Sequence, residues 1–228
     1  MAPAARAAFF DVDDTLVRVK TMFSFLAFHY RYRGEPDLVY ERARDRLKSL
    51  HREGHTRADV NRVYYRLYQG AGHRALAEEG RLWFRESERS GDFFHGPAVA
   101  ALREHLAAGD LVVLVSGSFY APLDPIAAAL GAHVALGTEP LTEDGRLTGE
   151  VVEPMIGAGK GRAARRLAEE RGLDLAECWA YGDHASDLEL LTSVGHPVAV
   201  GDDPVLTARA TEHRHWGRLP GIELPSAV

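Results

Sequence analysis

Downstream of Gly91 the chain alternates short apolar runs with helical patterns, and this alternation restricts the possible folds more than any other feature. "PAVAALREHLAAG" spaces its apolar residues along one helical face and stops at Gly109. "DLVVLVSGS" follows, apolar at successive positions and short, the pattern of a strand buried on both faces. "APLDPIAAALG" reads as a helix with an early proline, "AHVAL" as a strand, and "TEDGRLTGEVV" as a hairpin turning at Asp144-Gly145. Next come "GKGRAARRLAEERG" (helix), "CWAYGD" (strand), "ASDLELLTSVG" (helix), "PVAV" (strand) and "DPVLTARAT" (helix). Doubly apolar strands separated by helices predict a parallel sheet wrapped on both faces, a Rossmann-like three-layer α/β/α core of the α/β class.

A further strand, "AAFFDVD", stands near the start of the chain. Between it and Gly91 strand signals vanish and helical spacing takes over, punctuated by Gly34-Glu35-Pro36, Gly54 and Gly70 to Gly72. Thr56 with Asp59 forms an acidic variant of the capping box. This stretch is too long for a loop. It is expected to be a small α-helical cap, residues 19–90, inserted after the first strand of a core made from 1–18 and 91–228. From about Leu219 the residues look like a loose tail.

The 228 residues suit one such core with an insert. No long uncharged apolar stretch predicts a membrane span, and "MAPAARAA" lacks the apolar run of a secretory signal. The lone Cys178 fits a reducing, cytoplasmic setting. A net charge of −6 argues against wholesale nucleic-acid binding. Residues 31–66 nonetheless hold ten Arg or Lys against six acids. They read either as a solvated helical face or as a basic lid over an anionic substrate.

In open parallel sheets, ligands bind at the carboxyl ends of the strands. Three strands end there in polar chemistry: Asp11-Val12-Asp13-Asp14-Thr15, Ser116-Gly117-Ser118, and Gly182-Asp183 with Asp187 one turn on. Lys160 opens a helix between the last two. Together they form a cluster of carboxylates with one hydroxyl and one ammonium. Clustered carboxylates need neutralisation, and a hard divalent cation with oxygen ligands supplies it. Zinc spacing of His and Cys is absent. One carboxylate could attack phosphorus while its neighbour two residues on handles the proton. Lys160 and Ser116 could hold phosphate oxygens. "GAGKG" is not a P-loop, since Pro154 takes the first glycine position and Gly161 follows the lysine. Nor is Ser116 in a nucleophile elbow, since Leu114 and Ser118 stand where glycines belong.

This ordered set resembles the haloacid dehalogenase superfamily, within it the small-cap subclass that includes phosphoserine phosphatases. The resemblance covers residues 7 to 212. It implies Asp11 as nucleophile, Asp13 as general acid/base, and Lys160 as a catalytic cation. It implies Thr15, Ser116, Gly117 and Lys160 around the phosphate, and Mg²⁺ held by Asp11, Asp13, Asp183 and Asp187. The expected activity is hydrolysis of a small phosphorylated metabolite through an aspartyl-phosphate, by a monomer or homodimer with no nucleic-acid or membrane partner. Phosphoryl transfer to another acceptor, as in mutases, shares the same first step. A binding protein that keeps the fold without turnover is the reading from another class. Lys20 stands where phosphoserine phosphatases carry a glutamate for the substrate ammonium, which argues against phosphoserine and for a second anion or a hydroxyl-rich body. His184 and Ser186 replace a common glycine and asparagine. In the cap, Arg62, Arg66 and the aromatics Phe23, Phe25, Phe28, Tyr64 and Tyr65 are candidate substrate contacts, with Lys20 and Arg62 the residues expected to set specificity.

Overall fold

The computed structural model describes residues 6–222. The expected absence of a signal falls mostly on residues 1–5, and most of the expected tail on 223–228; both lie outside the described residues.

Six parallel strands form one sheet in the order β3-β2-β1-β6-β7-β8. They are β1 (Ala7–Phe10), β2 (Leu111–Val115), β3 (Val134–Leu136), β6 (Trp179–Gly182), β7 (His196–Val200) and β8 (Gly217–Leu219). The first strand is central, pairing with β2 through Phe9 opposite Val113 and with β6 through Phe9 opposite Ala180. Its side chains alternate between two cores. Ala8 and Phe10 join the layer that holds α5 (Gly96–Ala108) and α6 (Tyr120–Leu130), while Ala7 and Phe9 face α7 (Ala158–Arg171), α8 (Leu188–Leu191) and α9 (Pro204–Glu212). Burial on both faces is why the strands read as unbroken apolar runs.

A separate hairpin pairs β4 (Pro140–Glu143) with β5 (Arg146–Val151). Its turn residues Asp144 and Gly145 have φ of 49° and 74°, the left-handed conformations that a two-residue hairpin turn requires. β8, at one edge of the sheet, was not expected. It has three residues and no apolar run, and it exists by backbone pairing to Val198, Ala199 and Val200.

Between β1 and α5 lie four helices: α1 (Thr21–Tyr32), α2 (Asp37–Arg52), α3 (Arg57–Arg66) and α4 (His73–Glu88). The capping box at Thr56 is formed, with the Thr56 side chain accepting from Asp59 N–H and the Asp59 carboxylate from Thr56 N–H. Aromatic rings knit the insert to the core. Phe25, Tyr65 and Tyr68 all pack on Phe119 at centroid distances of 5.4–5.7 Å. No helix among the described residues is long and apolar enough to cross a membrane.

Candidate active site

The carboxyl ends of β1, β2 and β6 meet on one side of the sheet, and a cavity of about 640 Å³ opens above them. Asp11, directly after β1, is 5% exposed and its N–H donates to the Tyr181 carbonyl. Lys160, in the first turn of α7, is 4% exposed. Its Nζ donates to Asp11 and, at 2.6 Å, to Asp187. Gly182 lets this happen. A Cβ there would sit 2.6 Å from the Asp187 Cβ, so only glycine allows that helix start to fold back against β6.

Asp11, Asp183 and Asp187 each offer a carboxylate oxygen, all within 4.8 Å of one another. Burial is the main force raising each of their pKa values, and mutual repulsion adds to it. Asp11 is pushed up to about 6, against the pull of Lys160. Asp183 is raised by burial and by Asp187, and Asp187 by burial and by Asp11. Lys160 moves up as well, because Asp11 and Asp187 outweigh its burial. Three carboxylates against one ammonium leave two net negative charges in a buried space. That deficit and the oxygen-only donor set fit a divalent hard cation such as Mg²⁺.

Asp13 and Thr15 stand apart from the metal and phosphate positions expected for them. The Asp13 carboxylate stands outside the three-acid group. It accepts from the Thr21 hydroxyl at 2.6 Å, and burial followed by the Asp11 charge raises it to about 6. Thr15 does not line the cavity. It is fully buried, and its hydroxyl donates to Asp183 at 3.1 Å, so it orients a carboxylate where phosphate contact was expected.

Ser116 and Gly117 do line the cavity. The Ser116 Oγ accepts from Ser118 N–H at 3.0 Å. The Gly117 carbonyl accepts three donors: Asn61 Nδ2 at 2.8 Å, the Thr138 hydroxyl at 2.9 Å and the Tyr65 hydroxyl at 3.0 Å.

Of the insert residues singled out, Lys20, Phe23 and Tyr64 line the cavity, whereas Phe25, Phe28 and Tyr65 belong to the core. Arg62 is not in the lining, and Arg66 turns outward to Glu150 at 3.2 Å. Arg57 is the α3 arginine at the cavity. Its guanidinium lies 3.0 Å from His184 Nε2. Arginine can only donate, and the Ser186 N–H donates to His184 Nδ1 at 2.9 Å, so donors face both ring nitrogens. Burial and the Arg57 charge both lower the His184 pKa, consistent with a neutral ring. Lys20 is paired with Asp14 at 2.5 Å, so its charge is already engaged.

Arg57 and Asn61 were missed from sequence. Asn61 had a signal: with Tyr64, Tyr65 and Tyr68 it keeps the spacing of the buried face of α3, and a polar residue there needs a partner. Arg57 had none within an arginine-rich stretch.

A family model described as haloacid dehalogenase-like hydrolase matches residues 8–192. A probable phosphatase of Mycobacterium tuberculosis is 41% identical over 119 residues, 52% of this chain and 41% of that protein. The chain thus spans less than half the length of that relative. A phosphoserine phosphatase of the same organism is 34% identical over 216 residues, covering 92% of this chain and 69% of the relative. A crystal structure of a protein of unknown function from Bordetella pertussis is similar with a TM-score of 0.84 at 29% identity, covering 94% of this chain and 98% of the other. A substrate-bound phosphoserine phosphatase shares the fold, with a TM-score of 0.64 at 24% identity over 90% of each chain.

Proposed function

This chain belongs to the haloacid dehalogenase-like hydrolases, and on that premise we propose that it is a Mg²⁺-dependent phosphatase acting on a small phosphomonoester. One observation carries the reading. A buried carboxylate, Asp11, sits at the floor of a cavity, bonded to Lys160 and grouped with Asp183 and Asp187. Asp11, Asp183 and Asp187 would hold Mg²⁺, which when bound offsets their charge and draws a phosphate oxygen to the site.

The residues then divide the work. Ser116 and Lys160 hold phosphate oxygens and stabilise the charge that develops on them. Asp11 attacks phosphorus and forms an aspartyl-phosphate as the ester bond breaks. Asp13, held by the Thr21 hydroxyl, gives its proton to the leaving oxygen. It then takes a proton from the water that cleaves the aspartyl-phosphate and restores Asp11. Thr15 and Gly182 position Asp183 and Asp187 without touching substrate. The helical insert, residues 19–90, serves as the cap that excludes bulk water. Two of its residues, Arg57 and Asn61, reach loops that carry the chemistry.

Phosphoserine is disfavoured as substrate. Its ammonium would need a free acid, and apart from the catalytic carboxylates the lining offers Asp45, which is bound to Arg44 at 3.0 Å. The test is phosphate release from an aryl phosphate with Mg²⁺. Wild-type protein should turn over, and Asp11→Asn should not, while keeping its circular dichroism spectrum and its melting cooperativity. Turnover by a clean preparation of that variant would remove Asp11 as nucleophile.

A further inference from the structure

Away from its acidic floor, the cavity has a different character. Met22, Phe23, Leu47, Val60, Tyr64 and Ile156 give it apolar walls. Farther out, α2 contributes Lys48 and Arg52, both exposed and one helical turn apart. Two other cations of this helix, both outside the lining, are engaged by acids: Arg44 by Asp45 at 3.0 Å and Arg46 by Glu53 at 3.2 Å. Lys20 is engaged by Asp14, and Arg57 donates to His184. Lys48 and Arg52 make no ion pair among the described residues, and the acid beside them in the lining, Asp45, is taken by Arg44. Lys48 and Arg52 therefore stand at the cavity with no acid and no hydrogen-bond partner among the described residues, and Arg57 beside them donates to a neutral ring that does not offset its charge. The cavity volume of about 640 Å³ also exceeds what a phosphate group alone would fill.

We propose that the substrate is a phosphomonoester with a second anionic group, separated from the phosphate by an apolar body, and that Lys48 and Arg52 bind the second group. This rests on the phosphatase reading above and specifies its substrate class. The arrangement assigns each part of such a molecule a complementary surface. It also accounts for cations that would otherwise repel each other on one helical face. The role that Lys20 was expected to play passes to α2, because Asp14 neutralises Lys20.

The experiment uses the full chain and a series of ω-phosphooxyalkanoates of graded chain length, each beside its uncharged amide. Phosphate release is measured with Mg²⁺ at low salt. At one or more chain lengths the acid should exceed its amide in kcat/KM by about fivefold, the scale of one to two exposed ion pairs. The preference should shrink in salt on the order of 0.5 M, where charges are screened within a few ångströms. Lys48→Gln with Arg52→Gln should bring the acid-to-amide ratio close to one. That ratio is taken on a single preparation, so a partly unfolded variant does not distort it. Arg46→Gln, on the same helix but outside the lining, should keep the ratio. Equal turnover of acid and amide by the wild type at every length overturns this proposal and leaves the phosphatase reading standing. No release from either class, nor from an aryl phosphate, overturns both.

Discussion

Asn61 in the helical insert donates its side-chain N–H to the carbonyl oxygen of Gly117 at 2.8 Å, tying α3 to the loop that follows β2. The bond is partly buried, with Asn61 1% exposed. It fixes the backbone beside Ser116 from the opposite side of the cavity. Asn61→Ala removes one of three donors and leaves Tyr65 and Thr138 on the carbonyl. Stability should therefore fall by only about 1 kcal/mol in urea titration, while kcat/KM drops about tenfold. Asn61→Asp should be worse than Ala on both measures, because it sets a carboxylate against a carbonyl where a donor stood. Equal behaviour of the two variants would show that the bond does not hold the loop.

Arg57 and His184 form the second tie between insert and core, reaching the loop that carries Asp183 and Asp187. Both groups are partly or fully exposed, so their coupling should be modest. A double-mutant cycle with Arg57→Ala and His184→Ala is expected to give about 0.5–1 kcal/mol in kcat/KM, read as non-additivity. Additive losses would mean that the two side chains act separately.

The close contact between α4 and α6 can be tested without reference to activity. A Cβ at Gly80 would lie 1.8 Å from the Ala121 carbonyl oxygen, a backbone atom that cannot swing away. Gly80→Ala should raise helix propensity yet cost about 1–3 kcal/mol through overpacking. Chemical denaturation checks the sign: a stabilised variant would mean that the helices separate readily.

These contacts mark the boundary of what the sequence discloses. The strands were legible because both faces are buried, so that "AAFF" and "LVVLV" carry no polar interruptions. The acidic group was legible because each member follows a strand or opens a helix, and the fold puts those points together. The role of Thr15 was not, since its partner Asp183 lies 168 positions away and a hydroxyl suits phosphate and carboxylate alike. Arg62, expected at the substrate, is absent from the cavity lining because of its rotation about the helix. Arg57 begins α3 beside the cavity, and Arg62, five residues on, falls to another face. β8 went unseen because strand pairing through backbone atoms leaves no mark in three residues of mixed polarity.

Lys160, bonded to Asp11 and Asp187, is the sole cation bonded to any of the three grouped carboxylates among the described residues, and its removal separates structure from cation binding. In Lys160→Met, Asp11 and Asp187 lose their partner while staying buried, and an uncompensated buried charge costs about 3–5 kcal/mol. Without a divalent cation the variant should melt well below the wild type. Added Mg²⁺ stabilises whichever form binds it, in proportion to the logarithm of its concentration over Kd. The variant presents one more net negative charge to the ion, so its melting temperature should rise further with Mg²⁺ than that of the wild type. Asp183→Asn should reduce the rise in both backgrounds. Calorimetry reads all of this without a substrate. Melting temperatures indifferent to Mg²⁺ in wild type and variant alike would mean that these carboxylates do not bind the ion.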